Sequence, residues 1–153
     1  MTRSPRARAA SWMLAVTCLS ACAGAPARGD GYDRALAAGK RAATAGRWQE
    51  AAHHFDQASH TALRDRDRDY AAFETANAHR AAGDRGGALK RYEALAHGKG
   101  EYAAQASLRA ADMLVEHDDA EDAWRAMERV ALEHPSSAAA RTAVLRLLRH
   151  VHT

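Results

Sequence analysis

Residues 46–55 read GRWQEAAHHF and residues 83–92 read GDRGGALKRY, so in both stretches a glycine precedes an alanine by five positions and an aromatic residue by nine. A third copy, DDAEDAWRAM at residues 118–127, keeps this spacing with aspartate for glycine and methionine for the aromatic residue. The copies are 37 and 35 residues apart. A period in the thirties that is built from helical segments predicts stacked helix pairs.

Helix-favouring residues surround each copy, and apolar positions recur every three or four residues along them. Alanine is frequent, with 40 residues, and aromatic residues make up only 6%, which argues against an all-β fold. The small side chains of Ala51, Ala88 and Ala123 would let two helices cross closely. The predicted helices cover residues 33–45, 48–62, 70–82, 85–97, 102–117, 120–134 and 137–151. The sequence therefore predicts an all-α fold.

This pattern resembles the tetratricopeptide repeat (TPR) family, whose unit is a helix pair of about 34 residues with small residues and an aromatic residue at fixed positions. The matching residues are Gly39, Gly46, Ala51, Phe55 and Ala58 in the first repeat, Ala76, Gly83, Ala88 and Tyr92 in the second, and Ala111, Ala123 and Pro135 in the third. The resemblance implies a TPR-like solenoid over residues 32–151, with three helix pairs at about 32–65, 69–102 and 104–137 and a capping helix at 137–151.

The first residues predict an export signal. Basic residues 1–8 precede an apolar run, residues 9–19, that is too short to anchor a helix across a bilayer. The run ends in Leu19-Ser20-Ala21-Cys22, which resembles the lipobox of bacterial lipoproteins. The resemblance implies a signal peptide at residues 1–21, lipidation of Cys22 and a flexible tether over residues 22–31. Cys18 as the lipidated residue, or an ordinary cleaved signal without lipid, are the alternatives.

Charge argues against a nucleic-acid partner. The formal net charge is +3, and Arg3, Arg6 and Arg8 within the predicted signal account for all of it. The rest of the chain is therefore neutral overall. Catalytic motifs and phosphate-binding loops do not occur, and the histidines are poorly spaced for a metal ion, since His53 and His60 lie two helical turns apart. We expect no enzyme activity, no cofactor and no metal site.

The family resemblance implies a ligand groove lined by the first helix of each pair. Carried over position by position, the groove residues are Leu36, Lys40, Tyr70, Phe73, Asn77, Arg80, Gln105, Leu108 and Asp112. Aromatic, amide and guanidinium groups together suit peptide binding. The alternative for Phe73 and Leu108 is simple packing between repeats.

Two charged segments permit two interpretations each. The alternating run at residues 64–69, RDRDRD, is most simply a solvated linker whose last residue, Asp69, caps the next helix, and a docking loop is the alternative.

The last helix is expected to begin at a Ser136 or Ser137 cap and to cover the end of the solenoid with an apolar stripe, which comprises Val144, Leu145, Leu147, Leu148 and Val151. Binding of anionic lipid or of a partner protein is the alternative for this helix.

Together these features predict a membrane-anchored, non-catalytic adaptor that binds another envelope protein or a peptide segment of one. They resemble envelope lipoproteins of the BamD and YbgF type, and Ala23 after the cysteine resembles the sorting pattern of the outer membrane, which implies a periplasm-facing location. A structural accessory that oligomerises through the last helix and a histidine-based metal carrier are the alternatives.

Overall fold

The structure is a computed structural model that describes residues 27–116 and 120–151. This part of the chain forms seven α-helices and no strand, which confirms the all-α prediction. The helices are α1 (Asp30–Thr44), α2 (Trp48–Thr61), α3 (Asp65–Ala81), α4 (Arg85–Ala96), α5 (Ala103–Val115), α6 (Ala120–Glu133) and α7 (Ala138–Val151). None of them is long and apolar enough to cross a membrane.

The two described turns of the repeated motif share one backbone conformation. Gly46 and Gly83 follow α1 and α3 with φ angles of 72° and 81°, in the left-handed region that glycine adopts most easily. The N–H group after each glycine donates to a carbonyl five residues earlier, from Arg47 to Ala42 over 2.9 Å and from Asp84 to His79 over 3.0 Å. These turns end one helix and reverse the chain into the next. The third turn position, Asp118, lies outside the described residues.

Close helix contacts occur at the predicted small residues. Ala51, Ala88 and Ala123 are all completely buried. The larger side chains that end each copy of the motif are buried as well, namely Phe55, Tyr92 and Met127. Small residues thus allow the close approach and large ones fill the remaining volume.

The buried side chains form three clusters, each built from three helices. The first draws on α1, α2 and α3, the second on α3, α4 and α5, and the third on α5, α6 and α7. Each helix packs against the next one in the chain, and α5 also contacts α7. Because α3 and α5 each contribute to two clusters, they connect neighbouring parts of the core.

The alternating charged run belongs to a helix, so the prediction of a solvated linker is wrong. Helix α3 begins at Asp65, after Arg64 as the N-cap residue, and Asp69 lies inside the helix instead of capping it. Asp67 in the first turn is buried. Two arginines bind this carboxylate, which compensates for its removal from water and allows the helix to start earlier than the apolar pattern indicates.

Helix α7 begins as predicted but packs through a different face. The Ser137 hydroxyl oxygen accepts a hydrogen bond from the Ala140 N–H over 2.9 Å, which confirms Ser137 as the cap. The buried residues of α7 are alanines, at positions 139, 140 and 143. Only Leu147 of the predicted stripe packs against the third cluster, whereas Val144, Leu145, Leu148 and Val151 are exposed. The prediction that the stripe is the packing face is therefore wrong, because alanines allow a closer helix approach.

Candidate protein-binding surface

An aromatic cluster connects α3 to the start of α5. The Tyr102 ring lies 5.8 Å from the Tyr70 ring and 5.4 Å from the Phe73 ring, measured between centroids. Phe73 also meets Tyr92 of α4 edge-on at 5.7 Å. Phe73 and Tyr92 are buried, and Tyr70 and Tyr102 are partly exposed. The two tyrosines therefore form the solvent-facing edge of a rigid aromatic cluster.

Helix α1 contributes a cation to the same edge. The Lys40 ammonium group lies 5.6 Å from the centroid of the Tyr70 ring, and Lys40 is an exposed residue. An ammonium ion at this distance from a ring face is attracted by the ring quadrupole. Side chains from α1, α3 and the start of α5 thus meet at one surface.

A pocket of about 420 Å³ opens beside the two tyrosines. Its lining residues are Arg28, Arg64, Arg66, Asp67, Tyr70 and Tyr102. The Arg28 guanidinium donates to both oxygens of Asp67, over 2.9 and 3.4 Å, and Arg64 Nε donates to one of them over 2.6 Å. The hydrogen bond from Arg28 is the main cause that lowers the pKa of the Asp67 carboxyl. Arg28 also lies 3.9 Å from the Asp33 carboxylate, so the charges of Arg28 and Arg64 are balanced by two carboxylates.

A second pocket of about 290 Å³ lies between α5 and the beginning of α7. Its lining includes Gln105, which is exposed, and Leu108, which is half-buried and packs against the third core cluster. Glu101 also lines this pocket, and its carboxylate binds Arg66 of the first pocket over 2.8 Å. The ion pair therefore forms the border between the two pockets.

Three predicted groove residues are engaged inside the protein. The Asn77 side-chain oxygen accepts a hydrogen bond from the Tyr92 hydroxyl over 2.6 Å. Arg80 forms an ion pair with Glu116. Asp112 forms one with Arg146 of α7. These side chains connect neighbouring helices.

The remaining predicted groove residues fall into two groups. Leu36 is only 7% exposed and belongs to the first core cluster, and Phe73 is buried as in the packing alternative. Lys40, Tyr70, Gln105 and Leu108 lie at the aromatic edge or line the two pockets. The aromatic edge and the two pockets together are called the pocketed surface below. The structure thus brings four of the nine predicted residues to this surface.

Tyr102 and the arginines of the first pocket are not among the predicted groove residues. Tyr102 stands just before the predicted third repeat, so the family positions did not include it, although an aromatic residue at the start of a predicted helix is a usable signal. Arg64 and Arg66 belong to the alternating run whose simplest interpretation is a solvated linker. Arg28 fell within the predicted tether, yet it binds α3.

The histidines do not assemble into a metal centre in the part of the chain that the structure describes. No group of three or more histidine, cysteine, aspartate or glutamate side chains lies close enough there to hold an ion. Cys22, the predicted lipidation site, lies outside the described residues. A scan against protein-family models finds no match to this chain, and a search of curated proteins finds none.

Proposed function

We propose that this protein is a membrane-anchored, non-catalytic adaptor that binds a peptide segment of another envelope protein at its pocketed surface. The observation that supports it is the contact of Lys40 with Tyr70 and of Tyr70 with Tyr102, which unites side chains from three separate helical segments. The two pockets, which meet at the ion pair between Arg66 and Glu101, make this surface concave. Concave surfaces with partly exposed tyrosines and a few charged groups suit peptide recognition.

We further propose that the helices form a TPR-like solenoid with α7 as its terminal helix. Two features support this arrangement. The three core clusters succeed one another along the chain with α3 and α5 shared between neighbours. The turns at Gly46 and Gly83 have the same conformation and the same hydrogen-bond pattern. In such an arrangement the first helices of successive pairs, α1, α3 and α5, line one face.

The chemistry of the two pockets indicates the kind of peptide. The first pocket offers the guanidinium groups of three arginines together with two phenol rings, and guanidinium groups can bind an acidic side chain or a terminal carboxylate. In the second pocket the exposed Gln105 amide can both donate to and accept from a peptide main chain. An extended peptide with an acidic group at one end would occupy both pockets, with the acidic group in the first and its main chain bonded to Gln105 in the second.

The membrane anchor in this proposal is lipidated Cys22, supported by the Leu19-Ser20-Ala21-Cys22 motif. Arg28 follows shortly after Cys22 and lines the first pocket. The binding surface would then lie close to the anchored end of the chain, facing the periplasm from the outer membrane.

Crosslinking followed by purification from membranes tests the adaptor function. The double variant Lys40→Ala, Gln105→Ala removes two exposed groups of the binding surface without touching the core. Its matched control is Lys90→Ala, Gln57→Ala, which removes the same residue types from exposed positions of α4 and α2. We expect a crosslinked partner to be lost from the first variant and kept by the control, with equal melting temperatures.

Recovery of the same partners with both double variants, or of none with the wild type, would contradict the adaptor proposal. The anchor has its own test. Intact-mass analysis of the purified protein should show an acylated N-terminal Cys22, and Cys22→Ser should release the protein from membranes. An unmodified N-terminus elsewhere would contradict the lipid anchor while leaving the peptide-binding proposal standing.

A further inference from the structure

Helix α7 differs in charge from every other described helix. It contains three arginines and one histidine and no aspartate or glutamate, whereas each of α1 to α6 contains at least one carboxylate. A concentration of positive charge on one helix is notable because the chain after its first 21 residues is formally neutral. The helix therefore presents a local basic surface on an otherwise balanced protein.

The same helix exposes an unusual share of apolar surface. Among the described residues, eight large apolar side chains are exposed, and four of them lie on α7. Their exposed fractions are 42% for Val144, 62% for Leu145, 54% for Leu148 and 79% for Val151. The alanine face of α7 satisfies its packing against α5 and α6, so these four side chains are not needed for the core.

Two of the three arginines have no carboxylate partner among the described residues and can bind an external anion, although Arg141 also donates one hydrogen bond to the Ser136 carbonyl oxygen over 3.4 Å. Arg146 is engaged with Asp112 of α5. Arg141 and Arg149 are exposed, and neither forms an ion pair with a carboxylate in the part of the chain that the structure describes. At 100° per residue, Arg141 projects between Leu145 and Leu148 and Arg149 projects beside Leu145. Cationic and apolar groups thus share one face.

We propose that this outer face of α7 lies against an anionic lipid bilayer. The leucine and valine side chains would enter the boundary between headgroups and acyl chains, and Arg141 and Arg149 would bind lipid phosphates. The charge of the face is complementary to an anionic surface. The residues of this face line neither of the two pockets, and the contact does not depend on the adaptor function.

A second copy of the chain fits this face less well. In an antiparallel helix pair centred on Leu145, Arg141 of one copy would lie opposite Arg149 of the other. Like charges that face each other without a carboxylate nearby destabilise such a contact. Charge complementarity therefore favours the bilayer over self-association.

A fluorophore attached to α7 tests the proposal. Because residues 9–19 are themselves apolar and could bind vesicles, the readout has to be local. The full chain with Cys18→Ser and Cys22→Ser receives a single cysteine at Leu145→Cys, labelled with an environment-sensitive nitrobenzoxadiazole group. The control position is Ala94→Cys, which is exposed on α4, a helix that makes no close packing with α7.

We expect the fluorescence emission of the label at position 145 to shift to shorter wavelength when vesicles of phosphatidylcholine and phosphatidylglycerol are added. Vesicles of phosphatidylcholine alone should cause no such shift. The label at position 94 should not respond. Adding Arg141→Gln and Arg149→Gln should lower the coefficient for partition of α7 from water to the anionic vesicles, measured from the emission at position 145. We expect a decrease of about thirtyfold, because each arginine contributes about 1 kcal/mol at an anionic surface.

Three results would overturn the proposal. The first is an unchanged emission at position 145 when anionic vesicles are added, which would indicate that the outer face of α7 binds an acidic protein surface instead of lipid. The second is a lack of specificity, seen either as equal emission shifts at positions 145 and 94 or as equal shifts at position 145 with anionic and with neutral vesicles. The third is a blue shift that grows with protein concentration in the absence of vesicles, which would show self-association.

Discussion

Arg28 Nη2 donates a hydrogen bond to Asp67 Oδ1 over 2.9 Å and so connects the segment before α1 to the first turn of α3. Arg64 Nε donates to the other carboxylate oxygen over 2.6 Å. The Arg28 hydrogen bond lowers the pKa of this buried carboxyl, although burial by itself would raise it. Although Asp67 stands in a run that looks solvated, it therefore makes a tertiary contact and lines the first pocket.

Replacing this carboxylate should destabilise the fold. Asp67→Asn removes the charge that both arginines bind, and we expect the free energy of unfolding at pH 7 to fall by about 2 kcal/mol, the usual value for charged hydrogen bonds. Urea denaturation measures the change. Asp65→Asn is the matched control, since Asp65 is exposed in the same helix turn, and should change the free energy by less than about 0.5 kcal/mol.

The effect of Asp67 should depend on pH with a defined sign. Its folded-state pKa lies below the ordinary value of about 3.9, so its stabilisation is complete above that value and is lost as the pH falls through the folded-state pKa. The difference in unfolding free energy between wild type and Asp67→Asn should therefore shrink below about pH 4. A difference that stays constant down to pH 2 would contradict the proposed role of the charge.

Gly39 stands where α1 and α2 approach each other closely. A Cβ atom at this position would lie 2.6 Å from two atoms of the buried Phe55 ring. Overpacking of this kind costs about 1–3 kcal/mol, which exceeds the gain of up to about 1 kcal/mol in helix propensity. Gly39→Ala should thus lower the melting temperature.

Gly86 provides the control for Gly39. It lies in α4, and nothing stands within 4 Å of the position that a Cβ atom would take. Gly86→Ala should leave the melting temperature unchanged or raise it, because only the propensity term remains. Equal effects of the two substitutions would show that α1 and α2 are further apart than in the structure.

The hydrogen bond from Tyr92 to Asn77 should appear as coupling in a double-mutant cycle. Burial raises the pKa of the Tyr92 phenol, and its hydroxyl donates to the Asn77 amide oxygen over 2.6 Å. Asn77→Ala leaves the buried hydroxyl without this acceptor and should cost about 1–3 kcal/mol, more than Tyr92→Phe. The double variant should be less destabilised than the sum of the two, as measured by urea denaturation. If the two changes in unfolding free energy were additive, this hydrogen bond would contribute nothing to stability.

The ion pair between Asp112 and Arg146 should hold α7 on α5. In Asp112→Asn we expect faster amide hydrogen exchange in α7, while the amides of α1 and α2 keep their rates, because local opening depends on local contacts. Asp122→Asn on α6 is the control, since its partner Arg125 lies in the same helix. Faster exchange throughout the protein would indicate global destabilisation instead.

The amino-acid sequence alone predicts the helix positions, apart from the start of α3, together with the turns at Gly46 and Gly83 and the crossing alanines. Each depends on neighbours within a few residues, through backbone φ angles, side-chain volume and the spacing of apolar positions. For the same reason Ser137 could be recognised as a cap, since its acceptor role involves the N–H group of Ala140 only three residues later.

The functional surface depended on contacts between residues far apart in the chain. Arg28 and Asp67 are 39 residues apart, and no local pattern indicates that this aspartate is the buried one of three. Similarly, only the packing of α7 shows that its alanines face the core and its leucines face outward. Periodicity identifies the faces of a helix, but which face is buried is decided by the volume and charge that neighbouring helices present.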